Sequence, residues 1–489
     1  MPKIKITEID NTGSTQFTPI TNVVYIPGAA NAKTEPLYCA SISALEGFKG
    51  TYGLLDDLSF KLAKRLLRLG MQVVYQGFIK ISGSSTWVEG EYFTDLTKKI
   101  IPEPEEGEPD FYYSFTICGE VFAIDGDTIV LLGDDSSPSI SYPIINGIVT
   151  IPEGTDLFEG HAQTMTFDFV GEKVKYTSIK TEDTESLQIN SSDWEALSDK
   201  SLYDIRFLTT GAYAANATQD MVACATKRGD CVALIDHPIS YNSSSVSEIR
   251  GYFATFESKF ASGFTPWFKT NDEDLGGTKT SVVSIPASFG YLFAYARSIQ
   301  NNPDWYAVAG KFRGNIQELN GISRKYTSAE VEILQGRSAN GEVELDGSGD
   351  NIGFAINPIA YVRGYGYLIW GNRTLIYNED SGDGTGELTA SAFLNVRHIC
   401  IDIVKSLYAA ARKYTFEQNS NTLWLNFKHE IQPLLDKMVS GNGIITYTME
   451  QIPTTKKARL SARISITPIE GVEDFELELY LEDSLEVVE

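Results

Sequence analysis

The chain has 489 residues, a formal net charge of −25, and a hydrophobic share of 42%. This length predicts two to four domains, because compact domains usually contain about 100–200 residues. The negative charge argues against direct binding to nucleic acid or an anionic membrane, since both would repel the chain. No apolar run approaches the roughly 18–20 residues of a membrane span. The five scattered cysteines predict neither a disulfide framework nor a zinc site.

The N-terminal region reads as a strand followed by a linker. Its first residues alternate polar and apolar, with Ile4 and Ile6 on one face, and they lack the apolar block of a signal peptide. A polar stretch at residues 11–21 follows, and residues 22–26 then form a short apolar run that Pro27 stops. We therefore expect an arm over residues 1–21 that leads into a globular body.

The clearest helix lies at residues 56–69. Its leucines recur at spacings of three and four, which places them on one face. Two aspartates stand at its start, basic residues stand near its end, and Gly70 stops it, as the helix dipole and capping rules favour. Residues 71–75 then read as a strand. This segment predicts an α-then-β unit of the body.

The pattern changes over residues 89–199. An acidic stretch interrupted by prolines leads to short strand-like runs at 111–117, 128–132 and 144–151, and no helix is indicated before about residue 192. Gly, Asp, Pro and Ser separate these runs. We interpret residues 89–199 as a β-rich domain inserted into the α/β body.

Helices and strands alternate again from residue 203. A strand at 204–208, a helix at 217–227 and a strand at 231–236 have the order and length of a βαβ unit. A further helix is predicted at residues 286–299, with a proline in its first turn.

Two long helices and two strands are predicted in the C-terminal part. The helices cover residues 390–414 and 423–439, with apolar residues on one face of each. Residues 459–467 and 473–481 alternate and read as two strands joined by a turn. In the second strand one face is apolar and consists of Phe475, Leu477, Leu479 and Leu481.

Residues that could perform chemistry are scarce. Asp236 and His237 are adjacent, but neighbouring residues that leave a strand usually point in opposite directions, and no nucleophile elbow accompanies them. The acidic Gly-rich stretches at 346–351 and 380–387 lack the order of an EF-hand and read as loops more readily than as ion sites. We therefore predict no catalytic, cofactor-binding or metal-binding residues, and no cofactor.

These observations predict a multi-domain α/β protein. The arm covers residues 1–21, and the mixed α/β body comprises residues 22–88 and 200–350. The β-rich insertion covers 89–199, and an α+β domain with terminal strands covers 351–489.

Three stretches, in this order, resemble one known family. They are residues 263–268 (GFTPWF) with 284–297 (SIPASFGYLFAYAR), residues 356–363 (INPIAYVR) with 364–375 (GYGYLIWGNRTL), and residues 394–398 (LNVRH) with 416–419 (FEQN) and Trp424. Together they resemble the tail sheath proteins of contractile phages and related injection machines. His398 stands where that family usually has a second arginine, and Gln418 where it usually has a proline.

The resemblance implies a structural protein, not an enzyme. Such a subunit polymerises helically around an inner tail tube and contracts to drive the tube through a target envelope, which in a phage leads to genome injection. The implied partners are further copies of the chain, the tube protein, and baseplate and tail terminator proteins, without direct contact to nucleic acid or membrane. The implied location is the virion tail, assembled in the cytoplasm of the host bacterium.

The same resemblance suggests roles for individual segments. The C-terminal domain would face the tube, and residues 89–199 would face outward. Strand-forming ends are a liability in a monomer but are connectors in a polymer, through strand addition between subunits. Arg373 and Arg397 lie in family-like motifs beside apolar residues, and we expect them to form structural ion pairs.

Two other functions remain open at this point. A capsid or surface-layer subunit would also polymerise, but its polymer would not contract. A glycan hydrolase with paired carboxylates is favoured only by the many Asp and Glu residues.

Overall fold

The structure is a computed structural model. It describes residues 22–101, 111–117, 120–125, 127–131, 140–144, 148–151, 164–170, 173–213, 217–275, 282–336, 354–376, 389–453 and 459–471. The predicted arms lie outside these ranges, and with them the connector residues Ile4, Ile6, Phe475, Leu477, Leu479 and Leu481. The Asp/Gly-rich stretches at 346–351 and 380–387 lie outside them too.

Within the described ranges the chain forms helices and strands in alternation. The strands are β1 (Val23–Ala29), β2 (Leu37–Cys39), β3 (Gln72–Phe78), β4 (Lys80–Asp95), β5 (Thr97–Ile100), β6 (Phe111–Ile117), β7 (Glu120–Asp125), β8 (Thr128–Leu131), β9 (Ile140–Pro143), β10 (Ile148–Ile151), β11 (Thr164–Val170), β12 (Lys173–Leu187), β13 (Phe207–Leu208), β14 (Val232–Asp236), β15 (Ala261–Thr265), β16 (Phe268–Asn271), β17 (Val282–Ile285), β18 (Gly321–Ile322), β19 (Asn357–Val362), β20 (Gly366–Ile369), β21 (Ile444–Gln451) and β22 (Ala462–Pro468).

The helices match most of the predicted ones to within a few residues. They are α1 (Ile42–Tyr52), α2 (Leu58–Arg68), α3 (Ser191–Leu197), α4 (Thr218–Arg228), α5 (Val246–Ala254), α6 (Ala287–Ser298), α7 (Gly310–Arg313), α8 (Ser328–Leu334), α9 (Leu394–Lys413) and α10 (Asn421–Ser440). The mixed α/β fold class predicted from the sequence is confirmed.

An eight-stranded sheet forms the centre of the body, in the order β2-β3-β1-β13-β14-β15-β19-β20. Its six inner strands are parallel, and β2 and β20 pair antiparallel at the two edges. Parallel strands are covered by helices on both faces, and the two large apolar clusters lie accordingly on opposite faces of this sheet. The predicted βαβ unit is present, since β13 and β14 are parallel neighbours joined through α4.

Two antiparallel sheets form the β-rich region between β4 and β12. One has the order β5-β6-β7-β8-β9 and the other β10-β11-β12-β4. The long strands β4 and β12 pair from Asp95–Lys173 down to Lys80–Leu187, so they form a ribbon that leads back to the body. Beyond the ribbon, α3 packs on the body, where the ring of Trp194 meets that of Tyr25 at 5.4 Å.

The C-terminal helices α9 and α10 pack together and carry a separate two-stranded sheet. We expected residues 459–467 to pair with 473–481 across a turn, and this pairing stays a prediction. The described partner of β22 is β21, an antiparallel strand that the sequence analysis did not predict. Residues 473–481 lie outside the described ranges.

Candidate functional site

The adjacent Asp236 and His237 do not form a catalytic pair. The Asp236 carboxylate accepts hydrogen bonds from the backbone N and the Oγ of Ser288, at 2.9 and 2.5 Å. The His237 ring points elsewhere: its Nδ1–H donates to the carbonyl of Pro238, and its Nε2 lies 2.8 Å from the hydroxyl of Thr265. Burial raises the pKa of Asp236 to about 7 and lowers that of His237 to about 4. Both side chains therefore serve packing, as their adjacent positions at the end of a strand suggested.

The crevice where doubly wound sheets usually bind ligands is filled by protein side chains. This crevice lies at the carboxyl ends of strands where the strand order reverses, here between β1 and β13. Asp57 occupies it and accepts hydrogen bonds from the backbone N of Ala29 and Phe60 and from the hydroxyl of Tyr213, at 2.7–2.9 Å. A Cβ on Gly28 would lie 1.7 Å from the Tyr75 hydroxyl. The described side chains therefore pack closely against the backbone at this point.

A pair of carboxylates does exist, but it is closed to solvent. Asp402 and Asp304 both contact one guanidinium nitrogen of Arg206, and the Arg206–Asp304 distance is 3.2 Å. All three side chains are at least 94% buried. Burial raises the pKa of Asp402 well above its ordinary value, although Arg206 opposes this shift. A sugar cannot reach this pair, so it gives no support to the hydrolase alternative.

Among the described residues, no group of three or more His, Cys, Asp or Glu side chains is arranged to hold a metal ion. No helix in these ranges is long and apolar enough to cross a membrane.

Arg373 and Arg397 are both buried, with exposed fractions of 4% and 0%. The Arg373 guanidinium lies 4.7 Å from the ring centre of Phe393, and the Arg397 guanidinium lies at the same distance from that of Phe260. These contacts place both arginines in the interior of the chain, where cation–π contacts are stronger than at the surface. The ion pairs that we expected for them stay a prediction.

The sheet formed by β21 and β22 rests on the two long helices. Its inward face contributes Ile444 and Ile466 to an apolar cluster with residues of α9 and α10 and with Trp305. The indole N–H of Trp305 donates to the carbonyl of Gly441 at 3.0 Å, at the turn between α10 and β21. This packing covers one face of the sheet that the two described strands form.

Both outer edges of this sheet lack a partner strand among the described residues. In an antiparallel pair, hydrogen-bonded and non-hydrogen-bonded residue pairs alternate. The N–H of Ile452 donates to the carbonyl of Ser461 at 2.8 Å. The neighbouring pair, Gln451 and Ala462, therefore directs its backbone groups outward.

The surface beside β21 is grooved, with apolar side chains next to the polar Asp436, Ser440 and Thr446. An open groove of about 330 Å³ lies between the end of α10 and β21. Ile445 in this groove is 61% exposed and Val439 37%. An exposed sheet edge next to apolar surface is a site for strand addition or aggregation. We take the β21–β22 sheet as the candidate functional site.

Sequence reasoning missed half of this site. Strand β22 was predicted, whereas β21 was not, although Ile445, Tyr447 and Met449 alternate with polar residues there. That alternation was the available signal. It follows directly on the helical pattern of α10, and the turn at Gly441 and Gly443 separates the two.

The chain is similar to known proteins in its fold and not detectably in its sequence. No family model matches the sequence, and no curated protein is significantly similar to it in sequence. The fold is similar to that in the sheath complex of an extracellular contractile injection system, PVC, in the contracted state, with a TM-score of 0.54 and 11% identity over 99% of this chain and 98% of that chain. It is also similar to a chain in the baseplate of the anti-feeding prophage (AFP), with a TM-score of 0.50 and 11% identity over 99% of both chains.

Proposed function

The chain has, over nearly its full length, a fold found in contractile injection systems, and we propose that it is a sheath subunit of such a machine. It polymerises helically around an inner tube and shortens to drive that tube through a target envelope. The observation that carries the proposal is the likeness to the contracted sheath complex across 99% of the chain. The resemblance in sequence over residues 263–424 supports the same family independently.

The open edges of the β21–β22 sheet supply a way to link subunits. A strand from a neighbouring copy that pairs with either edge satisfies the outward backbone groups and covers exposed side chains such as Ile445. The chain's own ends have the required alternation, with Ile4 and Ile6 in one and Phe475 to Leu481 in the other. Links of this kind stay intact while the subunit bodies rotate.

The energy for contraction would come from packing and not from a nucleotide. The crevice between β1 and β13 is occupied by Asp57 and its hydrogen-bond donors. An extended lattice that is metastable relative to the contracted one can store energy in its interfaces.

The proposed partners and location follow from this role. They are further copies of the chain, the inner tube protein, and baseplate and tail terminator proteins. In this layout residues 351–489 face the tube and residues 89–199 face outward. We propose a phage virion tail, assembled in the host bacterial cytoplasm, as the machine, without direct contacts to nucleic acid or membrane.

Electron microscopy of purified protein tests the proposal. Negatively stained samples, alone and with the inner tube protein, should contain ringed tubes of uniform diameter. Two-dimensional sheets or closed shells would instead indicate a surface-layer or capsid subunit, and dispersed monomers under all conditions would contradict a polymer.

A truncation tests the connectors separately. Deletion of residues 1–12 removes Ile4 and Ile6 and leaves the described residues unchanged. We expect folded, soluble monomers that no longer form tubes even when tube protein is added. Normal polymerisation and contraction of this truncation would show that the N-terminal strand is not a connector.

A further inference from the structure

A patch of basic and aromatic side chains, exposed except for the half-buried Arg313, stands out on this acidic chain. We define the basic–aromatic patch as Lys311, Phe312, Arg313, Lys325, Tyr361 and Tyr365. Phe312 is 84% exposed, and Tyr361 and Tyr365 are 52% and 49% exposed. These are large apolar areas to leave in water when they adjoin one another.

Contacts join members of the patch in two groups. The Lys311 ammonium lies 4.5 Å from the ring centre of Tyr365 and 5.6 Å from that of Phe312. On the same hairpin as Tyr365, the ring centre of Tyr361 lies 5.2 Å from the Lys325 ammonium. The patch therefore combines cations with aromatic faces around the β19–β20 hairpin, at one end of the main sheet.

The cations of the patch are not neutralised by the rest of the described chain. Lys311, Arg313 and Lys325 form no ion pair with a carboxylate of any described residue. The neighbouring Arg324 differs, because it pairs with Glu330 at 2.8 Å. In a chain with a net charge of −25, such a patch fits an acidic segment with apolar side chains.

The chain itself has such a segment, and it starts beside the patch. Residues 472–489 contain eight Asp and Glu, no Lys or Arg, and the apolar row from Phe475 to Leu481. A Cβ on Gly471 would lie 3.8 Å from the Cβ of Ala307. The Arg313 Nε–H donates to the carbonyl of that same Ala307 at 2.7 Å.

We infer that in the free subunit the acidic tail, residues 472–489, docks on the basic–aromatic patch of its own chain. Its carboxylates pair with the patch cations, and its apolar row covers Phe312 and Tyr365. An extended tail of this length spans roughly 60 Å, and its attachment at Gly471 gives it a high effective concentration at the patch. Docking does not depend on the proposed function.

Its consequence for assembly does rest on the proposed function. A tail held on its own subunit is not available to pair with a neighbouring copy. Assembly must then displace it, so the patch delays polymerisation until subunits are brought together on a template.

Cleavage of the tail by a glutamate-specific protease measures docking in the full-length chain. The test variant is Lys311→Glu with Phe312→Ser. The matched control is Lys99→Glu with Ile100→Ser, which changes a similar exposed pair, since Ile100 is 77% exposed, on the separate β5 strand. Intact-mass spectrometry distinguishes tail fragments from cleavage elsewhere.

We expect cleavage of the tail to be about fivefold faster in the test variant than in the wild type or the control, as the loss of a few weak contacts predicts. Raising the salt to about 0.5 M should accelerate cleavage of the wild type in the same way. Protection should not depend on protein concentration. Equal rates in all three proteins, or protection that appears only at high concentration, would overturn docking within one chain.

The effect on assembly is measured in a separate experiment. The test variant should form tubes with a shorter lag than the control. If the protease result holds and no tubes form from any protein, then the proposed function fails and the docked tail stands.

Discussion

The half-buried carboxylate of Asp236 offers a direct test of its environment through pH. Its pKa is raised to about 7 by burial, against about 3.9 in an unfolded chain. A raised folded pKa stabilises the protein at low pH, and this contribution is lost as the pH rises through the folded value.

We therefore predict that Asp236→Asn reduces the fall in unfolding free energy between pH 5 and pH 7. The difference in slope from the wild type should approach about 1.4 kcal/mol per pH unit, the value for one proton. Urea unfolding at several pH values measures it, with the exposed Glu332→Gln as control. Parallel wild-type and Asp236→Asn curves would mean that Asp236 is ionised in the folded chain at pH 5.

The Arg206 cluster predicts unequal effects for its two partners. Arg206→Met leaves Asp304 and Asp402 buried without their cation and should cost about 3–5 kcal/mol of unfolding free energy. Asp402→Asn keeps Arg206 beside Asp304, so one carboxylate still balances the buried guanidinium, and it should cost less than half as much. Chemical unfolding of both variants measures this. Equal losses would show that Asp304 alone does not balance Arg206.

This cluster could not have been predicted from the sequence. Arg206 and Asp402 are separated by 196 positions, and neither lies in a motif that singles it out. The adjacent Asp236 and His237 were visible in the sequence, and the prediction that they point apart is confirmed because strand geometry alone decides it.

At the scale of elements, the sequence predicted those whose apolar spacing is regular. Helix α2 is an example, and Asp57 caps it as expected through a 2.8 Å bond to the backbone N of Phe60. Helix α1 was missed, since its two glycines and mixed composition hide the spacing. Helix α5 was also missed, although the capping box of Ser245 and Glu248 was a readable signal.

The open edges of the β21–β22 sheet predict which substitutions block assembly without unfolding the subunit. Gln451 and Ala462 both direct their N–H outward, so proline at either position removes no hydrogen bond within the sheet. Gln451→Pro blocks the β21 edge and Ala462→Pro blocks the β22 edge. We predict that the variant at the edge that accepts a strand forms no tubes, and that both variants melt within a few degrees of the wild type. Gln451→Ala is the control. Tubes from both proline variants would exclude strand addition at this sheet.

At the scale of the whole molecule, the net negative charge of the subunit opposes its proposed polymerisation. Copies with a charge of −25 repel one another. Cations inside the body are largely paired with its own carboxylates. For example, Arg65 and Arg297 both contact the buried Glu318. Exposed cations such as those of the basic–aromatic patch are therefore available to offset repulsion between neighbouring copies. Assembly should depend on whether these cations bind the acidic tail of their own subunit or an acidic segment of a neighbouring one.

The β-rich insertion has its own core. Its apolar cluster of Phe115, Phe122, Ile129, Tyr142, Val149 and Val174 includes no described residue of the main sheet. The ribbon of β4 and β12 is its visible connection to the body, and Ser84 faces Asp183 in that ribbon. The insertion should thus be removable as a unit, by joining these two residues with a two-residue Asn-Gly turn in place of residues 85–182.

We predict that this shortened chain folds, keeps the melting temperature of the body, and still forms tubes that contract. The physical reason is that the body core and the β21–β22 sheet keep all their described contacts. Calorimetry and negative-stain microscopy measure the two properties, and the tubes should be narrower if residues 89–199 face outward. A folded monomer that forms no tubes would place the insertion within the contacts that hold the polymer together.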